Sequence, residues 1–160
     1  MEQIIFYILA VVTVIATVFA ITEKHTVHAI VYLVTSFFSL AVIFYLLGAP
    51  LVAVFEVIIY AGAIMVLFLF VIMMLDLGHP EKAVLPGGRD WWPAVVLGAL
   101  TLGAVLVLLA AHTPALPVGV AFGIRDFAFV LFRKYGIAVE IISLQLLFAL
   151  VGALYLGKRR

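Results

Sequence analysis

The sequence predicts an all-α integral membrane protein with five transmembrane helices. Of its 160 residues, 68% are hydrophobic and only 11% are charged, and the mean hydropathy is +1.40. A soluble domain is about 45–50% apolar and about 25% charged, so most of this chain is expected to lie in a bilayer. The apolar runs are long and continuous, whereas barrel strands alternate over about 10 residues, and this favours helices.

Five apolar segments reach the length of about 20 residues that a membrane-spanning helix needs. Turn-forming residues separate them: Gly48 and Pro50 precede the third segment, and Pro114 and Pro117 follow the fourth. No internal repeat typical of two-fold symmetric transporters is visible, so we expect one membrane domain over residues 1–160. The predicted helices cover about 3–22, 27–47, 51–75, 91–111 and 137–156.

Loop charges predict how the chain is oriented in the membrane. With five spans, the first loop, the third loop and the C-terminus share one side. Positive charge favours the cytoplasmic side, so we expect an external N-terminus and a cytoplasmic C-terminus. The first side holds Lys24, Lys82, Arg89, Lys158, Arg159 and Arg160, and the other side holds Arg125, Arg133 and Lys134.

The composition argues against several classes of site. The chain has no cysteine, which excludes disulfides and iron–sulfur ligation. We expect no catalytic residue, metal or cofactor of its own, and a net charge of +1 does not indicate a nucleic-acid partner. His25 and His28 lack further candidate ligands, so we interpret them as solvated or capping histidines. Because Met1 is not followed by a basic region, we expect no removable signal peptide.

The third span carries residues that a simple membrane anchor does not need. Glu56 is an intramembrane carboxylate, which costs about 2.5–3.5 kcal/mol on insertion scales. It either bonds a neighbouring helix or belongs to a proton or water path. Tyr60 follows at i+4, on the same face of an α-helix, where its hydroxyl can reach the carboxylate or a water. Ala61, Gly62 and Ala63 permit either close helix packing or local rewinding into a π-bulge.

Two further features complete the set of candidate gating residues. The bulky run over 65–75, which includes Met65, Val66 and Phe68, can act as a hydrophobic plug that breaks a water chain. Glu140 lies about 3 residues into the fifth span, so it and Glu56 are predicted within about 8 Å of the same membrane surface. For Glu140 too, a structural hydrogen bond and a place in a proton path both remain open.

Polar and aromatic residues elsewhere predict packing and interfacial contacts. Trp91 and Trp92 are typical of an interfacial belt at the start of the fourth span. The region 112–136 mixes phenylalanines with charged residues, which suits a short interfacial helix or a partner contact. Interhelical hydrogen bonds are predicted for Thr35, Ser36, Ser39, Ser143 and Gln145.

Several segments together resemble a known family over essentially the whole chain. They are VHAIVYL over 27–33, EVIIYAGAIMVLF over 56–68, VIMMLDL over 71–77, and Leu131-Phe132, Tyr135 and Ala138-Val-Glu140. This pattern resembles subunit J of bacterial NADH–quinone oxidoreductase (respiratory complex I), the counterpart of mitochondrial NADH dehydrogenase subunit 6. The third-span motif is the most specific part of the resemblance.

The resemblance implies a five-helix core subunit in the membrane arm of a proton pump in the bacterial plasma membrane. The neighbours it implies are subunits A, H and K and an antiporter-like subunit, while FMN, iron–sulfur clusters and quinone belong to partner subunits. It also implies that the third helix changes between α and π forms around Tyr60 and Gly62. That change would open and close a water path towards buried glutamates of subunit K.

Other functions fit parts of the same pattern. The equivalent subunit of a ferredoxin- or F420-linked dehydrogenase, or of a membrane-bound hydrogenase, would look alike, because the electron-input modules are separate polypeptides. A multisubunit cation/proton antiporter is a further alternative, which the Tyr-Ala-Gly-Ala motif over 60–63 disfavours. A small independent transporter is disfavoured because it would need more polar groups near the midplane. The electron donor, the quinone type and the resting form of the third helix stay open.

Overall fold

The computed structural model describes residues 2–74, 91–110 and 123–158, and every regular element in these ranges is helical. The predictions that involve Leu75, Lys82, Arg89 and residues 111–122 and 159–160 lie outside the described residues. The elements are α1 (Glu2–Thr22), α2 (Thr26–Leu46), α3 (Pro50–Phe55), a π-helix (Glu56–Ile64), α4 (Met65–Met74), α5 (Trp92–Ala110), α6 (Ile124–Lys134) and α7 (Gly136–Lys158).

Five helices in the described part of the chain are long and apolar enough to cross a membrane. The third of them is continuous from α3 through the π-helix to α4. The all-α class and the number of spans are therefore confirmed, with boundaries within two residues of those predicted, whereas the orientation of the termini stays a prediction. The spans are Gln3–Thr22, Thr26–Leu46, Pro50–Met74, Trp92–Ala110 and Gly136–Lys158.

Local backbone geometry fixes where α2 begins and ends. His25 precedes it in an extended conformation (φ −86°, ψ 113°). The Glu23 carboxylate accepts hydrogen bonds from the backbone N–H groups of Lys24 (3.0 Å) and His25 (3.2 Å) just before the helix. After the helix, Gly48 adopts φ 82°, a left-handed conformation that glycine takes without strain. Pro50 then occupies the first turn of α3, where its missing N–H costs nothing.

Contacts divide the chain into two compact units, Met1–Ala121 and Phe122–Arg160; the expectation of a single membrane domain stays a prediction. In the first unit, α2 is the central helix, because it packs against α1, α3, the π-helix, α4 and α5. α1 also packs against α5. The core shared by these helices contains Val12, Ala16, Tyr32 and Leu97.

Hydroxyl groups join α1 to α2 inside the first unit. The Ser39 hydroxyl is fully buried and donates to the carbonyl oxygen of Leu9 at 3.0 Å. The Ser36 and Thr17 hydroxyls lie 2.9 Å apart. The interhelical prediction is therefore confirmed for Ser36 and Ser39. It is wrong for Thr35, whose hydroxyl donates to a carbonyl one turn back in its own helix, as threonines in helices often do.

The second unit contains α6 and α7, which Tyr135 alone separates. α6 provides the short helix expected within 112–136, and it carries Arg133 and Lys134 in its last turn. None of the described residues of α7 is buried within the unit. The Ser143 hydroxyl donates to the Val139 carbonyl of the same helix at 3.0 Å, and the interhelical bonds of Ser143 and Gln145 stay a prediction.

Candidate functional site

A nine-residue π-helix, Glu56–Ile64, interrupts the third span. At its end, the backbone N–H of Met65 donates to the carbonyl oxygen of Tyr60, five residues back. Bonds from i to i+5 define the π form, which is rare and frequently occurs at functional sites. The structure thus shows the third helix in its π form, a point that the sequence leaves open.

The π form decides which residues of the third span face the rest of the first unit. Its buried residues are Ala53, Glu56, Ala61 and Met65. Successive members are separated by three, five and four residues. Spacings of three and four keep side chains on one face of an α-helix, but a spacing of five does so only where the helix is wound more loosely. The buried face is therefore continuous because the π segment lies between Glu56 and Ala61.

Tyr60 lies away from the buried face, with 47% of its surface exposed. No hydrogen bond joins it to Glu56 among the described residues, although an α-helix would stack the two side chains. In the π form Ala61, and not Tyr60, takes the next place after Glu56 on the buried face, and this accounts for the difference from the sequence prediction. The Tyr60 ring instead packs against Phe37 of α2, with ring centroids 5.6 Å apart at an angle of 53°.

Glu56 is buried, with 8% of its surface exposed, and no described residue offers its carboxylate a hydrogen bond or an ion pair. Every fully enclosed polar side-chain atom in the described residues has a partner, so the carboxylate oxygens must retain some access from outside. A buried carboxylate at a narrow opening is suited to contact a water molecule or a group from another chain.

Gly62 lies close to a backbone carbonyl group within the π-helix. A Cβ atom built on it would lie 3.2 Å from the carbonyl oxygen of Val57, five residues earlier. This approach arises from the π winding, because residues at i and i+5 face each other only in that form. A Cβ at position 62 would therefore press on this carbonyl oxygen in the π form, and one of the two atoms would have to shift by a few tenths of an ångström.

The other predicted gating residues divide between buried and exposed positions. Met65 is buried, whereas Ala63, Val66 and Phe68 are exposed on the surface of the first unit. Glu140 is exposed on α7 in the second unit. Its predicted depth beside Glu56 stays a prediction.

Two features of the site escape sequence reasoning: the place of Ala61 on the buried face and the contact between Tyr60 and Phe37. Ala61 occupies the face that α-helical spacing would give to Tyr60, and only the fifth-residue spacing from Glu56 reveals it. Phe37, the aromatic partner of Tyr60, lies on another helix and carries no local signal.

The histidines near the start of α2 also differ from expectation. His28 is buried, with 7% of its surface exposed, and its ring packs edge-on against Trp91 with centroids 4.7 Å apart. The prediction of a solvated or capping histidine is therefore wrong for His28, because Trp91 returns to cover it from a distant part of the sequence. His25 is exposed, and its side chain makes no capping bond. In the described residues, no group of three or more His, Cys, Asp or Glu side chains could hold a metal ion.

These features define a multi-spanning helical membrane protein with a π-helix and a buried carboxylate in its third span. The chain belongs to the NADH-ubiquinone/plastoquinone oxidoreductase chain 6 family, whose sequence model matches residues 16–156. The resemblance seen in the sequence is thereby confirmed.

Three bacterial relatives, each called NADH-quinone oxidoreductase subunit J, show the extent of the similarity. The chain is 41% identical to that of Pseudomonas aeruginosa over 162 residues, covering 96% of this chain and 95% of the relative. It is 37% identical to that of Escherichia coli K12, with 96% and 85% covered. It is 35% identical to that of Rhodobacter capsulatus, with 96% and 80% covered.

Proposed function

We propose that this chain is a membrane-arm subunit of NADH–quinone oxidoreductase whose third span gates a water path for protons. Family membership supports the place in the complex. The π-helix over Glu56–Ile64, with a buried carboxylate at its start, is the observation that carries the gating role. The chain contributes to a redox-driven translocase without taking electrons itself.

The gate works by a one-residue shift along the span. If the π segment rewinds to an α-helix while Glu56 keeps its place, the next position on the buried face passes from Ala61 to Tyr60. The following position passes from Met65 to Ile64, because α-helical neighbours are four residues apart. A small side chain is then exchanged for a large one with a hydroxyl, and the bulky residues beyond it rotate together. Such a two-state element can open and close a water chain.

Glu56 supplies the polar end of this path. Its carboxylate has no hydrogen-bond partner among the described residues and keeps an opening to the outside. A water molecule at that opening can accept or donate a proton. In the α form Tyr60 stacks one turn above Glu56, and its hydroxyl can replace or join that water. We assign Met65, Val66 and Phe68 to the apolar barrier that interrupts the chain of waters, and Glu140 offers a second carboxylate.

Family membership supports a proposal for what surrounds the gate. We place the chain in the bacterial plasma membrane, beside subunits A, H and K and an antiporter-like subunit, with FMN, iron–sulfur clusters and quinone in partner subunits. The names of the relatives favour NADH–quinone oxidoreductase over a hydrogenase or an antiporter. In the proposed mechanism, quinone chemistry biases the α–π equilibrium of the third span.

Cryo-EM of the whole complex, with and without a ligand in the quinone site, tests this function. We expect the segment Glu56–Ile64 to convert between π and α forms, and the water density beside Glu56 to change with it. A π-helix that stays unchanged in every state would reduce the chain to a scaffold and refute the gating role.

A further inference from the structure

A cavity of about 460 Å³ lies in the first unit where three helix ends meet. The turn before α2, the end of α4 and the residue before α5 all contribute to it. Since these helices span the membrane, the cavity lies at one membrane surface rather than at the midplane. Its side chains include Lys24, His25, His28, Ile72, Met73 and Trp91.

His28 is the buried polar group of this cavity. It lines the cavity while 7% of its surface is exposed, and its ring nitrogens have no hydrogen-bond partner among the described residues. Because no fully enclosed polar side-chain atom there lacks a partner, these nitrogens retain access to a small ligand. Trp91 packs edge-on against the ring at 4.7 Å and holds its orientation. An imidazole N–H held in this way can donate to an anion.

The start of α2 adds backbone donors at the same place. Thr26, Val27 and His28 form the first turn of this 21-residue helix, and their N–H groups have no acceptor in the described residues. Helix N-termini favour anions because unpaired N–H groups and the positive end of the helix dipole coincide there. The nearby Glu23 carboxylate already accepts from the N–H groups of Lys24 and His25.

Size and lining indicate which anion fits. The donors lie beside an apolar wall formed by Ile72, Met73 and Trp91. A carboxylate group alone is too small to fill a cavity of about 460 Å³, and it would make no use of the apolar wall. A phosphate group can accept from several donors at once, and the residues that line the cavity include His28, the first turn of α2 and Lys24, whose ammonium serves as a point charge for phosphate. A phosphate that carries an apolar extension also uses the wall.

We propose that Lys24, His28 and the first-turn amides of α2 bind a phosphate group at this membrane surface. The phosphate chemistry is shared by a phospholipid headgroup and by free phosphate, and a lipid would in addition lay its chains along Ile72 and Met73. The phosphate-binding groups lie outside the π-helix and do not include Glu56, although the apolar wall of Ile72 and Met73 belongs to α4, which the proposed switch rotates.

Tryptophan fluorescence of the full chain tests the proposal in a detergent without phosphate. The chain has two tryptophans, at 91 and 92, so Trp92→Phe leaves Trp91 as the reporter beside the cavity. One titration uses short-chain phosphatidylglycerol and the other uses inorganic phosphate. We expect a saturable change, with Kd raised about tenfold or more by Lys24→Gln and by His28→Phe. Lys134→Gln on α6 is the matched control and should leave Kd unchanged.

The two titrations distinguish the sources of the phosphate. Saturation by both ligands assigns a general phosphate site, and saturation by the lipid alone assigns a headgroup site. The proposal is overturned if neither ligand saturates, or if Lys24→Gln binds as tightly as the unchanged chain; this variant alters an exposed side chain and should not disturb folding. A cryo-EM map of the whole complex is a second, independent test of the site. Tetrahedral density between Lys24 and His28 supports the site, whereas a carboxylate of a neighbouring subunit there refutes it.

Discussion

Glu56 and Ala61 share the buried face of the third span although five residues separate them. This relationship exists only because the intervening backbone is a π-helix. It gives the span two possible arrangements, since the α form would bring Tyr60 to the position of Ala61.

Gly62→Ala should favour the α form of the span. A Cβ at this position would approach the Val57 carbonyl oxygen to 3.2 Å in the π-helix, and alanine is a better α-helix former than glycine by about 1 kcal/mol. We expect the balance to shift towards α by about fivefold, with normal assembly and reduced NADH–quinone turnover. Turnover assays and a cryo-EM map of the variant measure both effects, and Gly62→Val should be more severe.

Gly98→Ala in α5 is the matched control for that variant, because a Cβ there meets nothing within 4 Å. It should leave turnover unchanged. If Gly62→Ala prevents assembly altogether, the glycine is needed for close packing and not for switching.

Glu56→Gln should preserve packing and remove the titratable proton. The two side chains have the same shape, and the carboxylate has no partner among the described residues that the amide would lose. We expect proton pumping to fall at least about tenfold while the complex still assembles. Pumping is measured in inverted membrane vesicles with a pH-sensitive dye. Full pumping by the variant would exclude a proton-carrying role for Glu56.

Tyr60→Phe separates the ring of Tyr60 from its hydroxyl. The ring contact with Phe37, at 5.6 Å, is kept, so the π form should be as stable as before. We expect slower proton pumping because the α form lacks its hydroxyl beside Glu56. Phe37→Leu is the complementary variant, which removes the aromatic contact and keeps the hydroxyl. Unchanged pumping in Tyr60→Phe would remove the hydroxyl from the path.

Ser39→Ala should have only a small effect on the α1–α2 pair. The hydrogen bond from Ser39 to the Leu9 carbonyl oxygen is fully buried, yet such bonds between membrane helices contribute about 0.6 kcal/mol on average. Leu9→Ala should cost about 2–5 kcal/mol, because it empties a fully buried position. The two losses of stability are measured by unfolding the purified chain and both variants in mixed micelles. Equal losses would mean that the hydroxyl contributes more than such bonds usually do.

Single cysteines test the predicted orientation, since the chain has none of its own. Arg125→Cys on α6 should react with a membrane-impermeant maleimide from outside intact spheroplasts. Lys158→Cys at the end of α7 should react only after the membrane is opened. The opposite pattern would show that the six-to-three distribution of positive charge does not decide the topology.

The five spans can be predicted from the sequence, whereas the π-helix within the third span cannot. Continuous apolar runs fix five spans within two residues, because length and hydropathy alone determine them. The π-helix is not visible in the same way, since a span that is apolar on all sides has no polar stripe whose period could be read. The Ala-Gly-Ala motif permits rewinding but does not require it.

Contacts between residues that lie far apart in the chain are also not predictable from the sequence. Burial of His28 depends on Trp91, and the position of Tyr60 depends on Phe37. Both partners lie on distant segments, and no local pattern pairs them. Ser36 and Thr35 are neighbours with similar chemistry, yet only Ser36 faces α1, because helix rotation decides between them.

The place held by Ala61 has a mechanical consequence. In the π form, the third span places only the methyl group of Ala61 against α2, and Phe37 already occupies the space next to Tyr60. In the α form the phenol ring of Tyr60 would replace that methyl group, so the two helices must separate briefly to let the ring pass. Such a step has a positive activation volume, since the protein passes through a more expanded state. Hydrostatic pressure should therefore slow the switch, and replacing the ring with a smaller side chain should make the rate less sensitive to compression.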